Sequence, residues 1–120
     1  MNILLASHDP NVTEAIKLYA DFISCRVEEV QSQEQLEKRL EEHPHPHCLL
    51  MDVNYLTEHN SYVPIKRAQE IMYGQHYDDG SLVGMTGDYD LAEATRRDLK
   101  VKVLNKPFGM DTICSILRMP

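Results

Sequence analysis

Three short apolar runs in this 120-residue chain end on residue types that do chemistry. "CLLMD" ends on Asp52, "SLVGMT" ends on Thr86, and "VLN" is followed by Lys106 and Pro107. A fourth run, "ILLA", leads directly into Ser7, His8 and Asp9. A carboxylate, a hydroxyl and an ammonium gathered in one crevice suit a phosphoryl group. The carboxylate can act as nucleophile and form an acyl phosphate. The ammonium, together with a divalent cation, neutralises the phosphoryl oxygens, and the hydroxyl donates to one of them. Gly87, beside Thr86, leaves room for that group. Ser7-His8-Asp9 is a poor hydrolase triad, because neighbours in an extended segment point to opposite faces and triads gather residues distant in sequence. Each residue also has a plain role. A strand-end Asp caps a helix or turn, Thr is common in strands, and Lys before Pro is usually solvated. The combination matters only if the fold brings the four strand ends together.

The elements that must do so are legible. "NILLAS" reads as a buried strand, and Asp9-Pro10 as a helix cap followed by the first helical residue. Val12, Ala15, Ile16, Tyr19, Phe22 and Ile23 recur at helical spacing. "CRVEEV" is a short strand with Cys25, Val27 and Val30 inward. "SQEQLEKRLEEH" is a helix with a Ser32–Gln35 capping box and a thin Leu36–Leu40 stripe, its charged remainder solvated. "HPHPH" reads as an extended, exposed spacer in preference to a metal-binding histidine tract. "CLLMD" is a strand covered on both faces, and residues 53–62 form a long loop. "PIKRAQEIMYGQHY" is a helix with Ile65, Ala68, Ile71 and Met72 on one face. After a "DDG" turn, "SLVGMT" is another buried strand. "GDYDLAEATRRDLK" is a helix capped by Asp88 or Asp90, and "VKVLN" is the last strand. "MDTICSILRM" closes as a helix with Ile113, Ile116 and Leu117 inward. Strand–helix alternation repeated five times implies an α/β fold, a five-stranded parallel sheet covered on both faces with right-handed crossovers. The flavodoxin-like (βα)5 order 2-1-3-4-5 places ligands at the carboxyl ends of the strands.

Composition narrows the classes further. Hydrophobic residues make up 42% and charged residues 26% of the chain, the mix of an ordinary globular protein. We expect a single domain over residues 1–120. The net charge of −7 disfavours direct nucleic-acid binding. No apolar stretch nears the roughly 20 residues of a membrane helix, and no signal peptide opens the chain, so the expectation is a cytoplasmic protein without membrane contact. Cys25, Cys48 and Cys114 have no metal-ligand spacing and read as buried reduced thiols. The methionines read as core filler.

"NILLASHDPNV", "CLLMDVN", "LVGMTG" and "VLNKPF" resemble the receiver domain of bacterial two-component response regulators, over about residues 2–118. The resemblance implies that Asp52 is the phosphoacceptor, with Thr86 as the hydroxyl residue and Lys106 as the phosphate-binding lysine. It implies Mg²⁺ held by Asp52 and the backbone carbonyl of Asn54. A sensor histidine kinase or a phosphotransfer protein would donate the phosphoryl group. The chain would catalyse only its own phosphorylation and dephosphorylation. Homodimerisation would use the face of helix 4, strand 5 and helix 5, which carries Arg96, Arg97 and Lys100.

Departures accompany the likeness. Members of the family end strand 1 on two acidic residues that hold Mg²⁺, and those positions are Ser7 and His8 here. Asp9, one place later, suits a helix cap, so Asp9 and His8 are at most weak metal ligands. Mg²⁺ prefers oxygen donors, whereas an imidazole suits a softer metal. "NYLTEHNSYVP" lacks the usual Met-Pro and Gly, and Val103 stands where an aromatic switch residue is common. An alternative is therefore a pseudo-receiver, a phosphorylation-independent interaction module. A phosphatase of the haloacid-dehalogenase type fits worse, since Asn54 stands where its general acid belongs and cannot donate a proton in that way. No effector domain follows residue 120, so the expectation is a stand-alone receiver or a fragment of a larger regulator.

Overall fold

The computed structural model describes residues 1–55 and 61–117. Strands and helices alternate as β1 (Asn2–Ala6), α1 (Pro10–Phe22), β2 (Arg26–Glu29), α2 (Gln33–Glu41), β3 (Cys48–Asp52), α3 (Val63–Gly74), β4 (Leu82–Thr86), α4 (Tyr89–Leu99), β5 (Lys102–Asn105) and α5 (Met110–Leu117). The sheet has the order β2-β1-β3-β4-β5, and every pairing is parallel. The flavodoxin-like expectation therefore holds.

Successive strand residues face opposite sides of a sheet, and here both sides are covered. Leu4, Leu49 and Met51 pack with Leu36 and Leu40 of α2, Ile65 and Ala68 of α3, and Leu91 and Ala92 of α4. Ile3, Leu5, Leu50, Val83 and Met85 pack with Ile16, Tyr19 and Ala20 of α1 and Ile113 of α5. Each such leucine or isoleucine contributes about 1.5–3 kcal/mol of burial. That is why the apolar runs are continuous instead of alternating. Gly84 sits where the layers come closest: an added Cβ would lie 2.8 Å from Ile65 Cδ1 and 3.0 Å from Val53 Cγ2.

Local signals set the helix starts. Asp9 Oδ1 accepts from the Asn11 and Val12 amides at 3.1 and 3.4 Å, with Pro10 following. Asp88, rather than Asp90, caps α4 by accepting from the Leu91 amide at 3.0 Å. Ser32 caps α2 through the Gln35 amide at 3.1 Å. The return arm of that box differs, because the Gln35 side chain accepts from the Gln31 amide at 2.9 Å instead of reaching the amide of Ser32.

Other expectations need correction. Phe22 is 85% exposed, since the inward stripe of α1 runs through Ile16, Tyr19, Ala20 and half-buried Ile23, and leaves Phe22 on the far side. "HPHPH" is exposed at His43, Pro44 and His47, as expected, but it is pinned to the domain at His45 and Pro46. The His45 ring is stacked between His43 and Tyr77, 4.2 Å from each. Pro46 is buried, and His47 Nδ1 accepts from the Asn2 amide at 2.9 Å. Tyr77 and Arg39, which donates to the Pro44 carbonyl at 3.0 Å, supply the partners that hold the segment down. Cys25 and Cys48 are free thiols, not fully buried but packed against the core on the α1 side of the sheet. Met51, Met72 and Met85 are core residues, as expected, while Met1 is exposed. Within the expected long loop, residues 53–55 form a turn that buries Val53 and Tyr55. Residues 56–60 lie outside the described residues, as do the side chains of Cys114, Ile116 and Leu117.

Candidate functional site

The strand register levels the carboxyl ends of the sheet. Ala6 pairs with Met51, Asp52 with Met85, and Thr86 with Asn105. Ser7, Asp52, Thr86 and Lys106 therefore meet at one rim.

Asp52 is 8% exposed and is the centre of the site. Its Oδ1 lies 2.9 Å from the Lys106 ammonium. Its Oδ2 accepts from the Ser7 hydroxyl at 3.0 Å and from the His8 amide at 3.1 Å. The Ser7 hydroxyl in turn accepts from the Asp9 amide at 3.1 Å, which fixes its proton toward Asp52. Lys106 is shared, with Asp9 Oδ2 at 3.5 Å on its other side. One ammonium thus stands between two carboxylates.

The remaining residues are placed as follows. Thr86 is buried at 6% exposure. Its hydroxyl oxygen accepts from the Asp88 amide at 3.1 Å, which leaves its proton available to donate. The Lys106 amide donates to the Thr86 carbonyl at 2.7 Å and ties the two strand ends together. A Cβ on Gly87 would meet only Lys106 Cβ, at 4.0 Å. Packing therefore does not require a glycine there, and the space above Lys106 stays open. Asn54 is half-buried in the turn after β3. Asp9 and Lys106 also line a groove of about 360 Å³ floored by Val12, Ala15 and Phe108.

His8 and Tyr55 form a contact that sequence reasoning missed. The rings stack with centroids 4.8 Å apart and an interplanar angle of 10°. The Tyr55 hydroxyl donates to the Val30 carbonyl at 3.1 Å. Burial, and then the nearby Asp52 carboxylate, push the Tyr55 phenol above its ordinary range. It is the backbone of His8, and not its ring, that touches Asp52. The only available signal was an aromatic three residues after Asp52.

Whether these residues suit Mg²⁺ is decided by the donors. Mg²⁺ requires about six oxygens in octahedral array. Asp52 Oδ2 already has two donors, buried Oδ1 has the Lys106 ammonium as its ion-pair partner and no hydrogen bond, and Asp9 Oδ1 is used by the α1 cap. Among the described residues no three His, Cys, Asp or Glu side chains converge as a metal site. The expected set of Asp52, Asn54, Asp9 and His8 does not fit the ion as arranged, and Lys106 occupies the cationic place between the carboxylates.

The fold is that of response regulator receiver domains. The chain superposes on the receiver domain of a sensor histidine kinase from Pseudomonas aeruginosa, solved with magnesium in its active-site cleft, at a TM-score of 0.71 and 20% identity over 98% of this chain and 93% of that one. A putative response regulator from Chloroflexus aurantiacus gives a TM-score of 0.72 at 20% identity, covering 98% of both chains. A response regulator receiver protein from Burkholderia phymatum gives 0.71 at 18% identity, over 99% of this chain and 96% of that one. No family model matches the chain, and no curated protein matches it. Among the described residues no helix is long and apolar enough to cross a membrane.

Proposed function

We propose that the chain is a phosphoacceptor receiver module of a two-component phosphorelay, with Asp52 as the acceptor. The observation that carries this reading is the buried Asp52 carboxylate with its Oδ1 facing the Lys106 ammonium at 2.9 Å. Oδ2 is tied down by two donors, whereas Oδ1 faces only a cation that can follow a phosphoryl group. Attack by Oδ1 on a phosphohistidine forms the O–P bond as the N–P bond breaks. The nitrogen keeps the electron pair and takes a proton from solvent. Lys106 then neutralises phosphoryl oxygens, and the Thr86 hydroxyl donates to one. The magnesium-bearing receiver from P. aeruginosa supports the comparison at the level of fold.

In this reading the donor is a sensor histidine kinase or a histidine phosphotransfer protein. The chain is no enzyme beyond its own phosphorylation and dephosphorylation, and it acts in the cytoplasm. Self-association through α4, β5 and α5 is part of the proposal. Arg96 and Arg97 on that face already pair within the chain, with Glu93 at 3.0 Å and Asp98 at 2.9 Å. Incubation with acetyl phosphate tests the acceptor reading by intact mass. Wild type should gain one phosphoryl group and Asp52→Asn none.

A second reading is a phosphorylation-independent interaction module. It is favoured by Ser7, whose hydroxyl satisfies Asp52 where an acidic ligand is expected. A folded wild type that forms no adduct with acetyl phosphate, whether or not magnesium is present, would establish it.

A further inference from the structure

We propose that Asp52 accepts its phosphoryl group without a bound divalent cation, Lys106 serving as the resident cation and Ser7 as a positioning residue. This rests on the acceptor reading above. Three observations carry it. First, Asp52 Oδ2 is held from two directions by the Ser7 hydroxyl and the His8 amide, 3.0 and 3.1 Å away. A carboxylate so fixed keeps Oδ1, buried and without a hydrogen bond of its own, facing the Lys106 ammonium with no metal to orient it. Second, the Lys106 ammonium is within 2.9 Å of Asp52 and 3.5 Å of Asp9. A divalent cation entering between the carboxylates would meet that charge at close range. Third, the spare carboxylate oxygens are few. Asp9 Oδ1 is bound to two amides of α1, and the described residues contain no converging trio of His, Cys, Asp or Glu.

The His8–Tyr55 stack reinforces the arrangement. It seats the His8 backbone where its amide reaches Asp52, and the Tyr55 ring is itself anchored by the Val30 carbonyl. The transfer needs no co-reactant beyond the phosphoryl donor. The Asp52 Oδ1–P bond forms, the donor N–P bond breaks, and the leaving nitrogen takes a solvent proton.

The experiment is phosphoramidate labelling of wild type in EDTA and in excess magnesium, read by intact mass over time. The expected result is the same labelling rate in both. A Ser7→Asp variant serves as the positive control, because it supplies the missing carboxylate beside Asp52. Its labelling should rise with magnesium, by about tenfold or more for each 1.4 kcal/mol the ion contributes. Labelling of wild type only in magnesium overturns the inference and leaves the acceptor reading standing. Absence of labelling in both conditions removes the acceptor reading and this inference with it. Calorimetric titration with magnesium alone gives a second readout. No saturable site is expected in wild type, and a saturable site lost in Asp52→Asn contradicts the proposal.

Discussion

Replacing Lys106 by Met removes the one ammonium between Asp9 and Asp52 while keeping most of the side-chain volume. At an effective dielectric of 20, contacts of 2.9 and 3.5 Å correspond to gross attractions of about 6 and about 5 kcal/mol. The net loss is much smaller, because the lysine also recovers its desolvation cost when unfolded. Removing one partner of a buried pair costs about 3–5 kcal/mol. Lys106 and Asp9 retain 19% and 34% exposure, so solvent screens part of the interaction. We expect Lys106→Met to lose about 2–3 kcal/mol at neutral pH. Asp52→Asn in the Lys106→Met background removes one of the two facing carboxylates and should recover more than half of that. The assay is urea denaturation of wild type, both single variants and the double variant, with unchanged slopes required before comparing midpoints. A coupling energy within about 0.5 kcal/mol of zero would falsify the shared-cation geometry.

Further outcomes follow from other parts of the fold. Gly84→Ala should cost about 1–3 kcal/mol by urea denaturation, because the new methyl meets Ile65 Cδ1 at 2.8 Å. The Arg39 guanidinium, hydrogen-bonded to Glu28 at 2.9 Å, holds that carboxyl below its ordinary 4.5. A depressed folded value means the pair stabilises above pH 4.5 and is lost as pH falls through the folded value. The urea midpoints of wild type and Glu28→Gln should therefore converge in acid and separate near neutrality. A constant difference would sink that account. Burial, with Cys25 adding to it, pushes the Cys48 thiol up to about 12. Its reaction with a thiol reagent at pH 8 should be slow in the native protein and fast after denaturation, measured by mass at Cys48. Equal rates would contradict the burial.

Most of the architecture was readable because its signals are local and redundant. Asp9-Pro10, Ser32 and Asp88 announce helix starts by their own hydrogen-bonding chemistry. The continuous apolar runs require cover on both faces, and only a parallel sheet with alternating helices supplies it. Partners distant in sequence were not readable. Nothing near "HPHPH" states that Tyr77 will stack on His45, and helical spacing alone does not place Phe22 outside the stripe of α1. The rim of the site divides in the same way. Asp52, Thr86 and Lys106 follow from strand ends meeting at one edge. The hydroxyl of Ser7 turned onto Asp52, and the stacking of His8 on Tyr55, depend on a register that no local pattern states. "SHDP" reads in sequence as a site stripped of its acids, whereas its Ser7 hydroxyl and His8 amide bind Asp52 Oδ2 directly and leave Oδ1 to Lys106.

The central claim is that an acyl phosphate forms on Asp52, and locating the modified residue tests it most directly. Wild-type protein treated with phosphoramidate is reduced with borohydride and mapped by peptide mass spectrometry. The account predicts reductive conversion at position 52 alone, abolished in Asp52→Asn. Modification found instead at Ser7, His8 or Asp9, or no modification at all, would contradict it.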